Sequence, residues 1–370
     1  MLLDFVGAPA NLLRHPQPPP DFLQRTVPFL VEDDKCGFVQ ARWGHRNPNY
    51  SLLTMAQSIG IDGHFVVEQS ARAWNGLFLN FNGTAGLWRR QAVEEAGGWQ
   101  SDTITEDLDL SYRTQLAGWH GRFVFNTVTP AEIPTNINAL KSQQHRWAKG
   151  SIQTALKILP QMMKRKDVSI FKKIQAILHL THYMVHPIIV TMTLLILPLL
   201  IWGHRNFTPH VIIPLVVLML ISMMAPSTLY VFSQKVAYPD WKSKLKFLPG
   251  LMALGMGLAV NNSLGVLQAI FRQNHGEFVR TPKLGAMVEK TDSASTNVLP
   301  EKASKPYRIP LSRMFLIETF MGIWAALAFA RYLSMFKFLV GPILLLHAAG
   351  FLYVGFISVI HEMRTKRLQL

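Results

Sequence analysis

The sequence predicts a cytosolic α/β domain followed by a helical region that crosses a membrane. The 370 residues carry a net charge of +15 but only 16% charged residues, below the roughly 25% of an ordinary soluble domain. Long runs without Asp, Glu, Lys or Arg fill the C-terminal half, whereas most carboxylates precede residue 140. With a single cysteine, Cys36, the composition excludes a simple soluble enzyme, a disordered chain and a disulfide-rich secreted protein.

The first 147 residues have the pattern of an α/β domain. Short apolar runs predict strands, and longer segments that end in glycine predict helices, because glycine readily adopts the backbone that ends a helix. The predicted elements are strands at 77–81 and 121–126, a helix at 89–96 ended by Gly97 and Gly98, and a helix at 106–117 ended by Gly118.

The apolar runs of the second half are long enough to cross a bilayer. Four runs without charged residues exceed the roughly 20 residues that a membrane-spanning helix needs, and together they would require an enormous core in a soluble protein: 174–202, 211–232, 248–271 and 338–360. The run 314–333 is a weaker candidate because it contains Glu318 and Arg331. The predicted spans are 174–202, 211–232, 314–333 and 338–360, and a further apolar run covers 248–271.

Lysine and arginine in the flanks predict the orientation. Residues 148–173 are strongly basic and are predicted to form an amphipathic interfacial segment against anionic lipid on the cytoplasmic face. Both flanks of 248–271 are also basic, at 234–247 and 272–313. A single crossing cannot have both ends on one side, so 248–271 is predicted to be an interfacial or re-entrant helix. The basic residues lie beside the spans, so no nucleic-acid partner is expected.

The first candidate constellation is Thr105-Glu106-Asp107 at a predicted helix start. In the functional interpretation, one carboxylate is a general base that deprotonates a sugar hydroxyl and its neighbour orients the helix start. In the structural alternative, Thr105 caps the helix and the acids complement the helix dipole. For an isolated motif the structural alternative is favoured.

The second constellation is Gln143-Gln144-His145-Arg146-Trp147. On a helix, Gln143, Arg146 and Trp147 share one face. The guanidinium can bind a phosphate and the indole can stack on a sugar ring. An amphipathic helix at the bilayer surface with an interfacial tryptophan is an equally good interpretation.

Two further patterns remain open. Asn82, Gly83 and Thr84 belong to a glycine-containing segment, 81–86, expected after a strand. Such a segment lets the backbone approach a ligand, but for this stretch alone an ordinary strand-to-helix turn is favoured. His179, His182 and His186 recur on one predicted helix face, where a polar stripe at the entrance of the first span is favoured over metal ligation.

Taken in order, these motifs resemble the membrane-bound family 2 glycosyltransferases of the cellulose synthase-like group. The motifs that carry the resemblance are FNGTAG, AGGW, TEDLDL, QQHRW and a later GEFVRTPK, and it extends from about Pro18 to Lys283. The resemblance implies a partial GT-A-type (Rossmann-like) domain followed by a transmembrane bundle. It also implies inverting transfer of a sugar from a nucleotide donor of the UDP-glucose or GDP-mannose type to a glycan acceptor.

The same resemblance implies roles for individual residues. Asp107 matches the catalytic base and Glu106 its neighbour, while Gln143, Arg146 and Trp147 match the motif at the donor pyrophosphate and the acceptor end. Asn82 and Gly83, with Thr84 beside them, match the segment near the acceptor sugar. The later motif matches a gating loop over the nucleotide, with Phe278, Thr281 and Lys283 as its key residues.

The sequence departs from the family pattern before residue 81. The family uses a divalent metal, Mg or Mn, held by a D-x-D pair, and no such pair precedes FNGTAG; Asp4 is at most a remnant of an early motif. We therefore expect a domain that lacks its nucleotide-binding N-terminal half, so that the chain alone could be inactive.

The leading functional prediction is a polysaccharide-forming transferase in the plasma or inner membrane, with its catalytic domain cytoplasmic. Two alternatives stay open: a non-processive transferase that makes a glycolipid, and a non-catalytic scaffold or regulatory subunit of a full-length synthase. Membrane lipids and other synthase subunits are the further partners expected.

Overall fold

A computed structural model describes residues 3–4, 18–202, 209–271, 312–335 and 340–367. The strands are β1 (Leu3–Asp4), β2 (Cys36–His45), β3 (Gly86–Arg89) and β4 (His120–Ala131). The helices of the first part are α1 (Phe22–Glu32), α2 (Leu52–Asp62), α3 (Ser70–Trp74), α4 (Arg90–Glu95) and α5 (Glu106–Leu116), with a π-helix at Gly63–Gln69 and a 3-10 turn at Pro48–Tyr50. The later helices are α6 (Ile137–Lys164), α7 (Ile170–Thr181), α8 (Val185–Trp202), α9 (Pro209–Ala237), α10 (Trp241–Lys244), α11 (Leu248–Gly257), α12 (Ala259–Phe271), α13 (Met314–Ser334) and α14 (Gly341–Arg367), with 3-10 turns at His182–Met184 and Leu245–Phe247.

The four strands form one mixed sheet in the order β1-β3-β2-β4. β4 runs parallel to β2, whereas β3 is antiparallel to both β2 and β1. Side chains alternate across the sheet, so Val39 and Leu87 pack with Phe22 and Leu30 of α1 on one face. The other face packs with Leu110 of α5, among the cluster of Phe38, Leu79, Phe81, Trp88 and Leu110. The α/β class predicted from the sequence is confirmed.

Of the two predicted strands, 121–126 is confirmed and 77–81 is wrong. Residues 77–81 join no strand of the sheet, because side-chain amides take the place of a neighbouring strand. Gln115 accepts from the Leu79 N–H at 2.9 Å and donates to the Leu79 carbonyl at 2.6 Å. The apolar pattern reflects the burial of Phe78, Leu79 and Phe81. A buried extended segment has the same apolar pattern as a buried strand, so the pattern alone does not distinguish them.

The helices predicted at 89–96 and 106–117 are confirmed as α4 and α5. Their glycine ends are confirmed too, since Gly97, Gly98 and Gly118 have φ angles of +85°, +72° and +96°. The Gly98 N–H donates to the carbonyl of Val93 and the Gly97 N–H to that of Glu94. Residues with side chains beyond Cα resist this left-handed backbone, so these glycines end the helix where the sequence predicts.

α6 connects the sheet domain to the apolar helices. It is 28 residues long and runs through residues 147 and 148, where the sequence places a domain boundary. Its first turns pack against α2, α11 and α14 through Ile137, Leu140, Leu254 and Val354. Its later turns pack against α5 and α7 through Tyr112, Ala155 and Leu180. One rigid helix therefore touches both parts of the chain.

Within the described ranges, three helical stretches are long and apolar enough to cross a membrane: Ile170–Trp202, Met314–Ser334 and Gly341–Arg364. They contain most of the predicted spans 174–202, 314–333 and 338–360. The predicted span 211–232 lies within α9. Residues 248–271 form α11 and α12, bent by 42°. Such a bent pair suits either a broken span or a re-entrant segment, so the interfacial helix and the orientation of the spans stay predictions.

Candidate active site

Asp107 lies in the first turn of α5, beside the turn that begins at Asn82. Glu106, Asp107 and Asp109 all lie in the first turn of α5. Thr105 is the N-cap residue of this helix, and its side chain makes no capping hydrogen bond. Instead, Asp107 Oδ1 accepts from the Leu108 N–H at 2.9 Å. Burial together with the neighbouring Glu106 carboxylate raises the pKa of Asp107 to about 7. A carboxylate with a pKa near neutrality can both hold and release a proton.

Gly83 makes the close approach between this turn and Asp107 possible. Its φ is +72°, and a Cβ built on it would lie 3.1 Å from Asp107 Oδ2. A side chain at this position would therefore strain the backbone and crowd the carboxylate. Asn82, Gly83, Thr84 and Asp107 are all half-buried, so the carboxylate and the turn together form a candidate site that solvent partly reaches.

The turn itself is held by Gln40 of β2. The Gln40 side chain accepts from the Asn82 N–H at 2.9 Å and donates to the carbonyls of Thr84 and Ala85 at 3.0 and 3.2 Å. The sequence places this segment after a strand, which is wrong: residues 81–85 precede β3 and follow the irregular segment 77–81. The sheet thus positions the turn through one buried amide.

α6 brings Arg146 to the same carboxylates. Gly150 allows this, because a Cβ there would lie 2.5 Å from the Thr105 side chain. Arg146 is half-buried and interacts electrostatically with both Glu106 and Asp107, which oppose the lowering of its pKa by burial. The guanidinium remains a cation at neutral pH, so the candidate site combines a titratable carboxylate with a fixed positive charge.

Trp147 and Gln143 lie on the same helix as Arg146. Trp147 is half-buried and packs against a cluster that contains Ile152, Tyr183 and Val266. Gln143 is half-buried one turn earlier. Gln143, Arg146 and Trp147 all lie on α6, as their spacing predicts for one helical face. Of the three, Arg146 interacts electrostatically with the carboxylates of α5.

Three polar residues near the turn have no signal in the sequence motifs. His64, Glu68 and Gln69 belong to the π-helix, and His64 Nε2 lies 3.2 Å from Asn82 Nδ2. Short-range sequence patterns could not have identified them, because the residues that Gln69 and His64 contact at the turn are 11 to 18 positions away along the chain, and Glu68 reaches the turn only through His64.

The other sequence candidates lie outside the described residues or on the helical stretch 179–186. Phe278, Thr281 and Lys283 fall in the undescribed range 272–311, so their gating role stays a prediction. His186 Nε2 accepts from Asn262 Nδ2 at 3.0 Å, and His179 Nδ1 lies 2.6 Å from the Tyr112 hydroxyl.

A divalent metal does not fit the described part of the chain. Within the described ranges, no group of three or more His, Cys, Asp or Glu side chains could hold a metal ion. Asp4 forms β1 opposite Trp88 of β3, and a single carboxylate is a poor site for a cation that wants several oxygen ligands.

Comparison with known proteins identifies relatives of this chain. The model of "Glycosyl transferase family group 2" matches residues 17–231. A probable glucomannan 4-beta-mannosyltransferase 15 from Arabidopsis thaliana is 31% identical over 349 residues, covering 90% of this chain and 60% of the relative. Glucomannan 4-beta-mannosyltransferase 1 from Oryza sativa subsp. japonica is 40% identical over 198 residues, covering 54% of this chain and 38% of the relative.

The chain spans about three fifths of the length of the curated relatives that it matches over most of its length. Among solved structures, a mannosyltransferase from Pyrobaculum calidifontis in complex with GDP-Man and Mn2+ shows a slight likeness. It has 13% sequence identity and a TM-score of 0.36, over 70% of this chain and 60% of that one.

Proposed function

The chain belongs to glycosyl transferase family group 2, and from this premise we propose that it transfers mannosyl residues from a nucleotide sugar to a β-linked glycan. The observation that carries the proposal is the close approach of Gly83 to Asp107 together with the electrostatic interaction of Asp107 with Arg146. The mannosyl donor, of the GDP-mannose type, is supported by the glucomannan mannosyltransferases that match this chain.

In this reaction the acceptor hydroxyl attacks the anomeric carbon of the donor and the bond from that carbon to the diphosphate breaks. Asp107, as base, takes the proton of the hydroxyl as the new glycosidic bond forms. Attack from the face opposite the leaving group inverts the anomeric centre. The glycine turn at Asn82–Gly83 gives the acceptor access to Asp107 Oδ2, since no side chain fills that space.

Arg146 serves the leaving group in the proposed mechanism. A guanidinium binds phosphate oxygens with paired hydrogen bonds and stabilises the charge that develops as the diphosphate departs. Gln143 and Trp147, on the same face, are proposed to contact donor and acceptor. The resemblance to the cellulose synthase-like group implies a divalent metal. Among the described residues, no group of side chains could bind it, and no step of the proposed mechanism requires it.

The apolar helices support placement of this enzyme in a membrane. Three helical stretches of sufficient length and hydropathy lie in the described ranges after residue 170. We propose that the growing glycan remains bound between successive additions, so that the product is a polymer.

A transfer assay with purified protein in detergent tests the proposed function. We expect radiolabelled mannose from GDP-mannose to enter a manno-oligosaccharide acceptor in linkages that an endo-β-mannanase cleaves, with products longer by several units. UDP-glucose serves as the competing donor. Transfer of one sugar only, to lipid, would instead support a glycolipid-forming enzyme, and failure to bind either donor would support a non-catalytic scaffold.

The activity is expected to rise with pH through about 7. The base must be ionised to accept a proton, and the pKa of Asp107 is raised to about 7 by burial and by Glu106. Below this pH most of Asp107 is protonated, so kcat/KM should fall about tenfold for each further pH unit. Initial rates at low donor concentration from about pH 5.5 to 8.5 measure this; a flat profile would contradict the assignment of Asp107 as base.

A further inference from the structure

The π-helix Gly63–Gln69 places His64 and Gln69 against the turn beside Asp107, with Glu68 behind His64. It continues α2 into α3 without a break. Its hydrogen bonds run from residue i to i+5, so each turn is wider than in an α-helix and residues four and five apart lie on one side. His64, Glu68 and Gln69 have this spacing. Single π-turns within helices are rare and are frequent at functional sites.

The hydrogen bonds of this segment have one consistent set of orientations. The Asn80 carbonyl oxygen can only accept, so the Gln69 atom 2.9 Å from it is the donating nitrogen. The same Gln69 nitrogen faces Asn82 Oδ1 at 2.9 Å. The other side-chain atom of Asn82 is therefore its NH2 group, which lies 3.2 Å from His64 Nε2.

The orientation of Asn82 determines the protonation of His64. Because the Asn82 amide nitrogen can only donate, His64 Nε2 must accept and carries no proton. His64 Nδ1 then holds the proton and donates it to Glu68 Oε2 at 2.8 Å. Carboxylate, imidazole and amide form one directed chain that ends at the glycine turn.

Glu68 is suited to hold the imidazole in this form. Interaction with the adjacent His64 keeps the pKa of Glu68 well below its usual range. Glu68 Oε1 also lies 3.6 Å from His179 Nε2 and 3.9 Å from the Arg72 guanidinium. The side chains of His64 and Glu68 are 27% and 35% exposed, so the pair is partly accessible to solvent and is not part of the core.

We propose that His64, fixed by Glu68, is a positioning residue that orients Asn82 and thereby holds the Asn82–Gly83 turn against the catalytic base. The proposal rests on the proposed function and extends it. Gln40 holds the backbone of this turn from the sheet side, while the π-helix holds the Asn82 side chain from the other side. Loss of the hydrogen bonds between the π-helix and the Asn82 side chain would let the turn and the acceptor hydroxyl shift relative to Asp107. A displacement near 1 Å can lower a rate about a hundredfold.

Two substitutions at one position separate this role from a structural one. His64→Gln keeps an acceptor oxygen where Nε2 stands, whereas His64→Asn keeps a donor where Nδ1 stands and loses the contact with Asn82. We expect His64→Gln to retain kcat within about threefold and His64→Asn to lower kcat roughly ten- to a hundredfold. The KM for the donor should be unchanged in both, because the donor side is formed by α6. Equal loss in both variants, or full activity of His64→Asn, would overturn the proposal.

The matched control is His120→Asn. His120 forms a comparable pair with Asp33 at 2.7 Å, but on the exposed surface of the sheet domain. We expect its kcat and melting temperature to equal those of the unmodified protein.

A readout independent of activity keeps the proposal distinguishable from the proposed function. Nitrogen-15 NMR of histidine-labelled protein, with the His64 signal assigned from its loss in His64→Asn, should show Nδ1 protonated and Nε2 unprotonated at pH 7. The opposite tautomer or a doubly protonated ring would reject the positioning role even if transfer is observed. Absence of transfer together with the expected tautomer would reject the proposed function and leave the hydrogen-bonded chain established.

Discussion

Replacing Asp107 with Asn is expected to lower the rate of sugar transfer by about a thousandfold while the protein stays folded. The amide cannot accept the proton of the acceptor hydroxyl, and a well-placed general base contributes roughly 10² to 10⁴ to a rate. The donor KM should change little, because Arg146 and the rest of α6 remain in place.

Stability provides the internal check on this variant. The folded protein raises the pKa of Asp107 from 3.8 to about 7, so the fold loses stability as the pH rises between these two values and carries the full penalty of an ionised Asp107 above them. A neutral amide removes this penalty, and the melting temperature of Asp107→Asn at pH 8 should equal or exceed that of the unmodified protein.

The control is Asp102→Asn, which alters an Asp that pairs with Lys157 at 2.7 Å and is 44% exposed. It should keep nearly full activity. More than a tenth of normal activity in Asp107→Asn would show that another group is the base.

Replacing Glu318 with Leu is expected to destabilise the protein by about 3–5 kcal/mol, since it leaves a buried ammonium without its carboxylate. Lys141 Nζ of α6 lies 2.7 and 2.8 Å from the two carboxylate oxygens of Glu318 in α13. The two side chains are only 5% and 0% exposed. The melting temperature in detergent should fall by several degrees.

The double variant Lys141→Met with Glu318→Leu should recover most of that loss, because both charges are then replaced by apolar side chains of similar size. Glu94→Leu is the matched control, as Glu94 pairs with Arg90 at 2.7 Å on an exposed helix surface; we expect no change in melting temperature. A double variant as unstable as Glu318→Leu would contradict the explanation that the unpaired Lys141 charge causes the loss of stability.

The ion pair also joins α13 to α6, the helix that carries Arg146. Lys141 lies five residues before Arg146 on one helix, and Ser358 of α14 accepts from Asn138 Nδ2 through its carbonyl at 3.1 Å. A shift of α6 relative to α13 and α14 would move the guanidinium away from Asp107. We therefore expect Glu318→Leu to lose activity at temperatures well below its unfolding.

Sequence reasoning recovered the elements whose signals are local. The helices at α4 and α5 follow from apolar periodicity and from glycines that adopt positive φ angles, both of which are properties of neighbouring residues. The long apolar helices follow from the length of charge-free runs. The strand expected at 77–81 failed because the pairing partner of an extended segment, here the Gln115 amide, cannot be deduced from the segment itself.

Some residues of the candidate site can be recognised in the sequence and others cannot. Asp107, Arg146 and Gly83 belong to short motifs, and the order of those motifs along the chain is specific enough to be recognised. Gln40, His64 and Glu68 cannot be recognised in this way, since their role depends on where the sheet and the π-helix place them.

The family, the α/β class, the apolar helices and the candidate functional residues could all be predicted from the sequence, because each depends on residue type and spacing along the chain. Which of these residues lie in contact became known from the folded chain. Gly150 lets α6 approach Thr105, Gly83 lets the turn approach Asp107, and a wide π-turn aims His64 at Asn82. Close approach depends on the space left by side chains from distant parts of the chain, and that space exists only once the whole domain has packed.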